Sequence, residues 1–183
     1  MAAIVAADIL WKYSTTAGAA GNAGVGAAAT SLGKYISTTI FLIAGGNEWF
    51  DNISGAENAA SQVDYRGFFI HNSNANNPYE SPVMYLSAET AGGASISIWP
   101  DSTATTVLAS APVQALTIAN DATAPAGASW TQPTTAGTGT ALSTIPNGNV
   151  KGFWVRRTIT AGPVAALSVD GVTLATSGDT GSL

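Results

Sequence analysis

The sequence predicts an all-β fold, a β-sandwich or jelly roll, from three observations. Turn signals such as Asn147-Gly148 and Asp170-Gly171 recur about every 8–15 residues, as they do in proteins built from many short strands. Between them lie short runs of β-branched and aromatic residues, which favour strands. No long segment has the 3.6-residue apolar period of a helix. We expect an N-terminal arm over residues 1–31 and one β-sandwich domain over residues 32–183.

The strongest predicted strand runs from Val63 to His71 and is followed by an Asn-rich loop that ends at Pro78. Successive side chains of a strand point to opposite faces, so Tyr65 and Phe69 share one face while Phe68 and Ile70 share the other. Because both faces carry aromatic rings, we expect a central strand that is buried on both sides.

Other segments predict further elements in order along the chain. Residues 94–99 alternate and predict a hairpin with 83–88, and residues 164–169 and 172–175 predict a final hairpin. Ser54 and Glu57 have the spacing of a helix capping box, which predicts one helical turn through Ser61. Residues 122–140, rich in Thr, Ala and Pro, predict an extended edge or a loop. The remaining predicted strands are 32–40, 113–119 and 150–158.

The N-terminal segment has two readings. Residues 14–31 consist almost wholly of Ala, Gly, Thr and Ser, a composition that buries little apolar area and is typical of a flexible linker. Alternatively, the segment is an arm that becomes ordered on a neighbouring subunit, with Trp11 and Tyr13 as anchors. On the second reading, we expect its deletion to weaken assembly and hardly affect folding.

The composition is apolar and poor in charge. Only 9% of the residues are charged, against roughly 25% in an average soluble domain. Such a surface is poorly suited to a free monomer, so we infer that partner subunits cover much of it. The alternative is an ordinary domain with a Thr/Ser-rich surface, as in many secreted binding modules.

Charge and hydropathy exclude several partners. The net charge is −5 and the only basic pair is Arg156-Arg157, whereas nucleic-acid binding requires a basic stripe. No apolar run reaches the roughly 18 residues of a membrane span. The first residues lack a basic n-region, which predicts synthesis in a cytoplasm. We therefore expect neither a nucleic-acid partner nor a membrane partner.

Catalytic and metal-binding patterns are missing from the sequence. The chain has no cysteine and a single histidine, His71, which we interpret as a structural residue. Neither nucleotide-binding nor hydrolase motifs occur. The acidic residues Glu48, Asp51, Glu57 and Asp64 raise a calcium hypothesis, but they lack the alternating spacing of a helix-loop-helix calcium loop. We expect no cofactor and no enzymatic activity.

Five short motifs lie in order at residues 51–57, 63–66, 69–72, 142–148 and 153–158. In order and spacing they resemble the motifs of a family of tailed-bacteriophage virion proteins, and the resemblance covers roughly residues 30–180. That family has an acidic SGxE loop, a V-E/D-Y-R strand, an HN exit and an IPxG…WxRR strand pair. Gly67 stands where a larger residue is usual, which indicates a bulge or a close contact.

The resemblance implies a β-sandwich structural protein of the virion, a capsid cement or decoration protein. Its partners would be the major capsid protein and further copies of itself, with a trimer as our guess. The alternatives are a tail or baseplate component, a carbohydrate- or receptor-binding module with loop tryptophans as sugar platforms, and a hydrolase. No catalytic residues follow from the resemblance. The expected interface residues are Trp11, Tyr13, Trp49, Phe50, Arg66, Trp99, Trp130, Arg156 and Arg157.

Overall fold

The computed structural model describes residues 3–20, 26–41, 48–90, 92–109, 113–161 and 171–180. Within these ranges the chain forms nine strands, one short α-helix and three single turns of 3₁₀ helix. The strands are β1 (Ile9–Thr15), β2 (Tyr35–Ile40), β3 (Val63–Asn72), β4 (Tyr79–Thr90), β5 (Ala94–Pro100), β6 (Thr106–Val107), β7 (Thr140–Ala141), β8 (Asn149–Ile159) and β9 (Gly171–Thr180).

Two antiparallel sheets form an all-β, sandwich-like fold. The large sheet has the order β2-β1-β3-β8-β5, with β6 paired to β8, and the small sheet has the order β7-β4-β9. Phe68 and Phe153 of the large sheet share one apolar cluster with Met84, Leu86 and Leu174 of the small sheet. This shared core holds the two layers together and confirms the predicted fold class.

Strand β3 confirms the predicted central strand. It lies between β1 and β8, and every residue from Arg66 to Asn72 is buried. Phe68 faces the small sheet, whereas Phe69 packs on the opposite side with Ile36, Ala115 and Val150. Residues 113–119, between β6 and β7, therefore cover the outer side of the large sheet, and β3 is buried by different layers on its two faces.

The capping box also forms as predicted. Helix α1 runs from Gly55 to Ala60, and the Ser54 Oγ accepts a hydrogen bond from the Glu57 N–H at 3.2 Å. The Glu57 carboxylate accepts in return from the Ser54 N–H at 2.6 Å. Donation from the Ser54 backbone first, and the Ser54 hydroxyl second, lower the pKa of Glu57, because they stabilise its charged carboxylate.

The predicted N-terminal arm needs correction. Strand β1 pairs with β2 on one side and β3 on the other, so it is an interior strand of the large sheet. Trp11 and Tyr13 are each 7% exposed and belong to the core shared by the sheets. Two buried rings supply the apolar area that the neighbouring small residues lack. Strand β1, Ile9–Thr15, is therefore part of the large sheet, and we expect its deletion to unfold the chain.

Four further predictions can be compared with the structure. Residues 94–99 do form β5, but β5 pairs with β8 and β4 pairs with β9, so the predicted hairpin is wrong. Residues 113–119 form no regular strand; they cover the large sheet, with a single bridge between Thr117 and Gly33. Residues 122–140 are mostly loop, one of the two predicted alternatives, with a 3₁₀ turn over Ala136–Thr138 and the start of β7 at Thr140. Residues 172–175 lie in β9, whereas residues 164–169 lie outside the described residues.

Candidate interaction surface

Arg156 and Arg157 occupy opposite faces of β8, because successive strand residues alternate. Arg157 lies on the inner face, opposite Asp64 of β3, and is 6% exposed. Arg156 lies on the outer face, between Tyr65 of β3 and Ser97 of β5, and is partly exposed. The dipeptide thus supplies one arginine to the interior and one to the outer surface.

The inner arginine is paired within the chain. Its Nε and Nη2 both donate to the Asp64 Oδ2, at 2.9 and 2.6 Å, and its Nη1 donates to the Asp51 carbonyl at 2.6 Å. The Phe50 ring centroid lies 4.7 Å from the guanidinium carbon. Asp64 accepts a further bond from the Gln62 amide at 2.6 Å. Arg157 is therefore held by a buried carboxylate.

Arg66 joins this inner arginine cluster, which comprises Asp51, Asp64, Arg66, Asp121 and Arg157. Its Nη2 donates to the Asp121 Oδ2 at 2.9 Å and lies 4.0 Å from the Asp51 Oδ1. The side chain is 3% exposed. We predicted subunit contacts for Arg66 and Arg157, and both are instead engaged inside the protein. Their positions on the core-facing side of β3 and β8 explain the correction.

Tyr65, Trp99, Trp130 and Arg156 form a group on the outer face that we call the aromatic–arginine patch. The Trp130 ring lies 5.5 Å from the Tyr65 ring and 6.3 Å from the Trp99 ring, centroid to centroid. The Arg156 guanidinium carbon lies 5.2 Å from the Trp130 centroid, within cation–π range. Tyr65, Trp130 and Arg156 are partly exposed, and Trp99 is 9% exposed.

The loop that carries Trp130 is tied to the sheet edge. The Thr131 N–H donates to the Ile98 carbonyl at 3.0 Å, and the Ile98 N–H donates to the Thr131 carbonyl at 2.9 Å. The Gln132 side-chain amide donates to the Ile96 carbonyl at 2.7 Å. These bonds pair Thr131 and Gln132 with the edge of β5. They position the Trp130 ring above the outer face.

Trp154 is buried beside the patch, in contact with Trp99. Its indole Nε1 donates to the Asp101 Oδ2 at 2.6 Å, and the same oxygen accepts from the Leu116 N–H at 2.9 Å. A Cβ added to Gly67 would lie 3.1 Å from Trp154 and 3.2 Å from the Gly33 backbone. The close contact that we predicted at Gly67 is therefore present, and only glycine fits there without displacement.

The structure thus divides the nine expected interface residues into three groups. Trp11, Tyr13, Trp49 and Phe50 are core residues, each 7% exposed or less. Their large apolar area explains this burial, because its removal from water stabilises the fold. Arg66 and Arg157 belong to the inner arginine cluster. Trp99, Trp130 and Arg156 are brought together in the patch.

Sequence reasoning missed the fourth member, Tyr65. The alternation of β3 placed Tyr65 on the face opposite Phe68, but its neighbours depend on the register of β3 against β8. The register pairs Tyr65 with Arg156. The sequence does contain a Tyr and an Arg on two strongly predicted strands. Their proximity could be predicted only if the register of the two strands were known.

Two features of the described residues bear on chemistry, the ionisation of His71 and the grouping of possible metal ligands. Burial first, and the charge of Lys12 second, lower the pKa of His71 to about 4, so the imidazole is neutral near pH 7. Its Nδ1 has no hydrogen-bond partner among the described residues. In the same part of the chain, no group of three histidine or acidic side chains is arranged to hold a metal ion.

An open cleft of about 450 Å³ lies between the N-terminal residues and β9. Ile4, Ile9, Trp11 and Tyr79 form its apolar wall, and the β9 residues 175–180 form the other side. The Ile4 N–H donates to the Thr180 Oγ1 at 3.1 Å across one end. The β9 side of the cleft carries the polar side chains of Thr176, Ser177, Asp179 and Thr180.

Comparison of the chain with protein-family models, with curated protein sequences and with solved structures gives no match. In the ranges that the structure describes, no helix has the length and apolar character needed to cross a membrane.

Proposed function

We propose that this chain is a structural protein of a tailed-bacteriophage virion that binds the assembled capsid as a cement or decoration protein. The observation that carries the proposal is the aromatic–arginine patch. Tyr, Trp and Arg are the residue types that contribute most to protein–protein binding energy. Here they are gathered on the rigid outer face of a sheet. The short motifs that resemble virion proteins support the same conclusion.

The use of charge supports a binding role over an enzymatic one. Asp64 and Asp121 neutralise buried arginines, and Asp101 holds Trp154 and the covering loop. These carboxylates are committed to the fold. A retaining or inverting hydrolase needs two carboxylates that face a substrate across a few ångströms. The aspartates just named serve structural partners instead.

The composition supports coverage by other subunits. Six basic and eleven acidic residues in 183 leave much of the surface to small uncharged side chains. A symmetric homo-oligomer, for which a trimer is our proposal, would cover part of this surface and repeat the same contact around each local axis of a shell. The major capsid protein would cover another part.

Carbohydrate binding is less well supported. Of the three tryptophans expected to serve as sugar platforms, Trp49 is 4% exposed and Trp99 is 9% exposed. Trp130 is the partly exposed one, and its ring already contacts Arg156. Sugar recognition usually uses an accessible aromatic face. A tail or baseplate location would use the same kind of protein–protein surface and is the second candidate.

Heating of particles with and without the protein tests the cement role. A protein that binds only the assembled shell stabilises that shell, by about 2.7 kcal/mol at a hundredfold excess over the dissociation constant. Particles that lack the protein should therefore assemble, yet release DNA at a lower temperature, as followed with a DNA-binding dye. Adding back the purified protein should restore the release temperature. Identical release curves would refute the cement role and favour the tail.

A further inference from the structure

Unlike Arg66 and Arg157, Arg156 has no carboxylate partner among the described residues. The ion pairs in that part of the chain join Arg66 and Arg157 to Asp51, Asp64 and Asp121. Arg156 donates instead from Nη2 to the Ser97 hydroxyl at 3.0 Å. Its Nε is enclosed and has no acceptor there. Within the described residues no carboxylate neutralises the guanidinium, and an outside carboxylate would have to reach its Nη atoms rather than the enclosed Nε.

The surroundings of Arg156 preorganise it. Trp130 contacts the guanidinium, Tyr65 and Ser97 lie beside it on the flanking strands, and the bridge between Thr131 and Ile98 fixes the loop. A cation that is already immobilised loses less side-chain entropy when it binds an anion. The planar guanidinium is also suited to bidentate pairing with a carboxylate.

We propose that the aromatic–arginine patch binds an acidic segment of a partner protein, with an Asp or Glu carboxylate on Arg156 and an adjacent apolar side chain against Trp130 and Tyr65. That the acidic segment belongs to the capsid rests on the proposed function. That it presents a carboxylate to Arg156 does not rest on that function. One cation in a protein of net charge −5 fits an isolated carboxylate. A polyphosphate backbone would instead require a basic stripe.

Lys34 offers a matched control for the charge. Its ammonium lies 5.0 Å from the Tyr35 ring, so Lys34→Gln also removes one positive charge from a cation–π pair. The Lys34–Tyr35 pair belongs to the β2 edge, outside the patch. Arg156→Gln and Lys34→Gln change the net charge equally, and a difference between them reports on position.

The first arm measures binding of the wild type and both variants to empty shells of the encoding phage, at low and moderate salt. We expect Arg156→Gln to weaken binding at least about tenfold and to reduce its salt dependence, with Lys34→Gln close to wild type. If the wild type binds and the two variants are equal, the inference is overturned while the cement role stands. If the wild type does not bind, the cement role fails and the second arm decides.

The second arm uses poly-L-glutamate, with poly-L-lysine and a neutral oligosaccharide as controls. The readouts are the NMR signals of the Trp130 indole N–H and the Arg156 Nε–H. Poly-L-glutamate alone should shift both signals in the wild type, and Arg156→Gln should abolish the Trp130 shift. No shift with poly-L-glutamate, or a shift with the oligosaccharide alone, would overturn the inference. The second result would favour a sugar platform.

Discussion

Arg156 and Arg157 are neighbours in the sequence, yet their surroundings are opposite. Arg157 lies in the protein interior on a buried carboxylate, whereas Arg156 lies on the outer face against an indole ring. A buried charge is tolerated only when it is paired, because its removal from water is costly. A partly exposed charge keeps its hydration and can remain available. The comparison separates an arginine that maintains the fold from one that is free to bind.

The largest expected effect is the loss of the inner arginine. Arg157→Ala leaves Asp64 buried without its partner, and breaking a buried pair in this way costs about 3–5 kcal/mol. Urea unfolding followed by tryptophan fluorescence would measure the loss. Replacing both partners by apolar residues, Asp64→Leu with Arg157→Met, should recover much of it. A loss below about 1 kcal/mol for Arg157→Ala would show that the pair does not maintain the fold.

His71 extends the comparison to a buried base that has no anion. Its pKa is lowered from the ordinary 6.5 to about 4, so the folded state disfavours the charged imidazole. The stability contributed by the neutral form is fully present above pH 6.5 and is lost as the pH falls toward 4. At 1.36 kcal/mol per pKa unit, the loss is about 3 kcal/mol.

His71→Leu should therefore flatten the pH dependence of the unfolding free energy between pH 7 and pH 4. Both proteins carry the same carboxylates, so the difference between their two curves isolates the histidine. Parallel curves for the variant and the wild type would contradict the prediction. The expected sign follows from His71 being 7% exposed and facing the charge of Lys12.

Gly67 tests whether the outer region depends on close packing. A methyl group there would meet Trp154 and the Gly33 backbone at 3.1–3.2 Å. Overpacking of this kind costs about 1–3 kcal/mol. Gly171→Ala is the control, because a Cβ at Gly171 meets nothing within 4 Å. Equal urea midpoints for the two alanine variants would show that the outer layer yields without cost.

The sequence predicts what depends on local order. Alternation in Val63–Asn72 places rings on both faces, and the Ser54/Glu57 spacing predicts the capped helix; both features form. Strand pairing is not local. Residues 94–99 have a convincing strand pattern, but nothing in the pattern tells whether β4 or β8 is the partner. The predicted hairpin failed for that reason.

The sequence also does not predict whether a short apolar segment becomes a strand or an irregular cover of a sheet. Residues 113–119 resemble a strand, but the Gln114 side chain accepts from the Ile36 N–H and donates to the carbonyls of Val107 and Leu108. These bonds hold the segment as an irregular cover. In the same way, alternation separates Arg156 from Arg157, but only the pairing of β8 with β3 and β5 shows which one is buried.

The smallest expected effect belongs to Arg156, and it completes the comparison. Arg156→Ala removes one hydrogen bond to Ser97 and a cation–π contact with Trp130. At a partly exposed site, a cation–π contact contributes about 0.5–1 kcal/mol, and no buried carboxylate is left unpaired. We therefore expect a loss of about 1–2 kcal/mol in urea unfolding, below that of Arg157→Ala, because the Ser97 hydroxyl, which is 1% exposed, also loses its donor. A loss as large as that of Arg157→Ala would show that both arginines maintain the fold. Arg156 would then no longer support the patch as a binding surface. A small loss of unfolding free energy together with weakened shell binding would show that Arg156 serves binding, whereas Arg157 on the same strand serves folding.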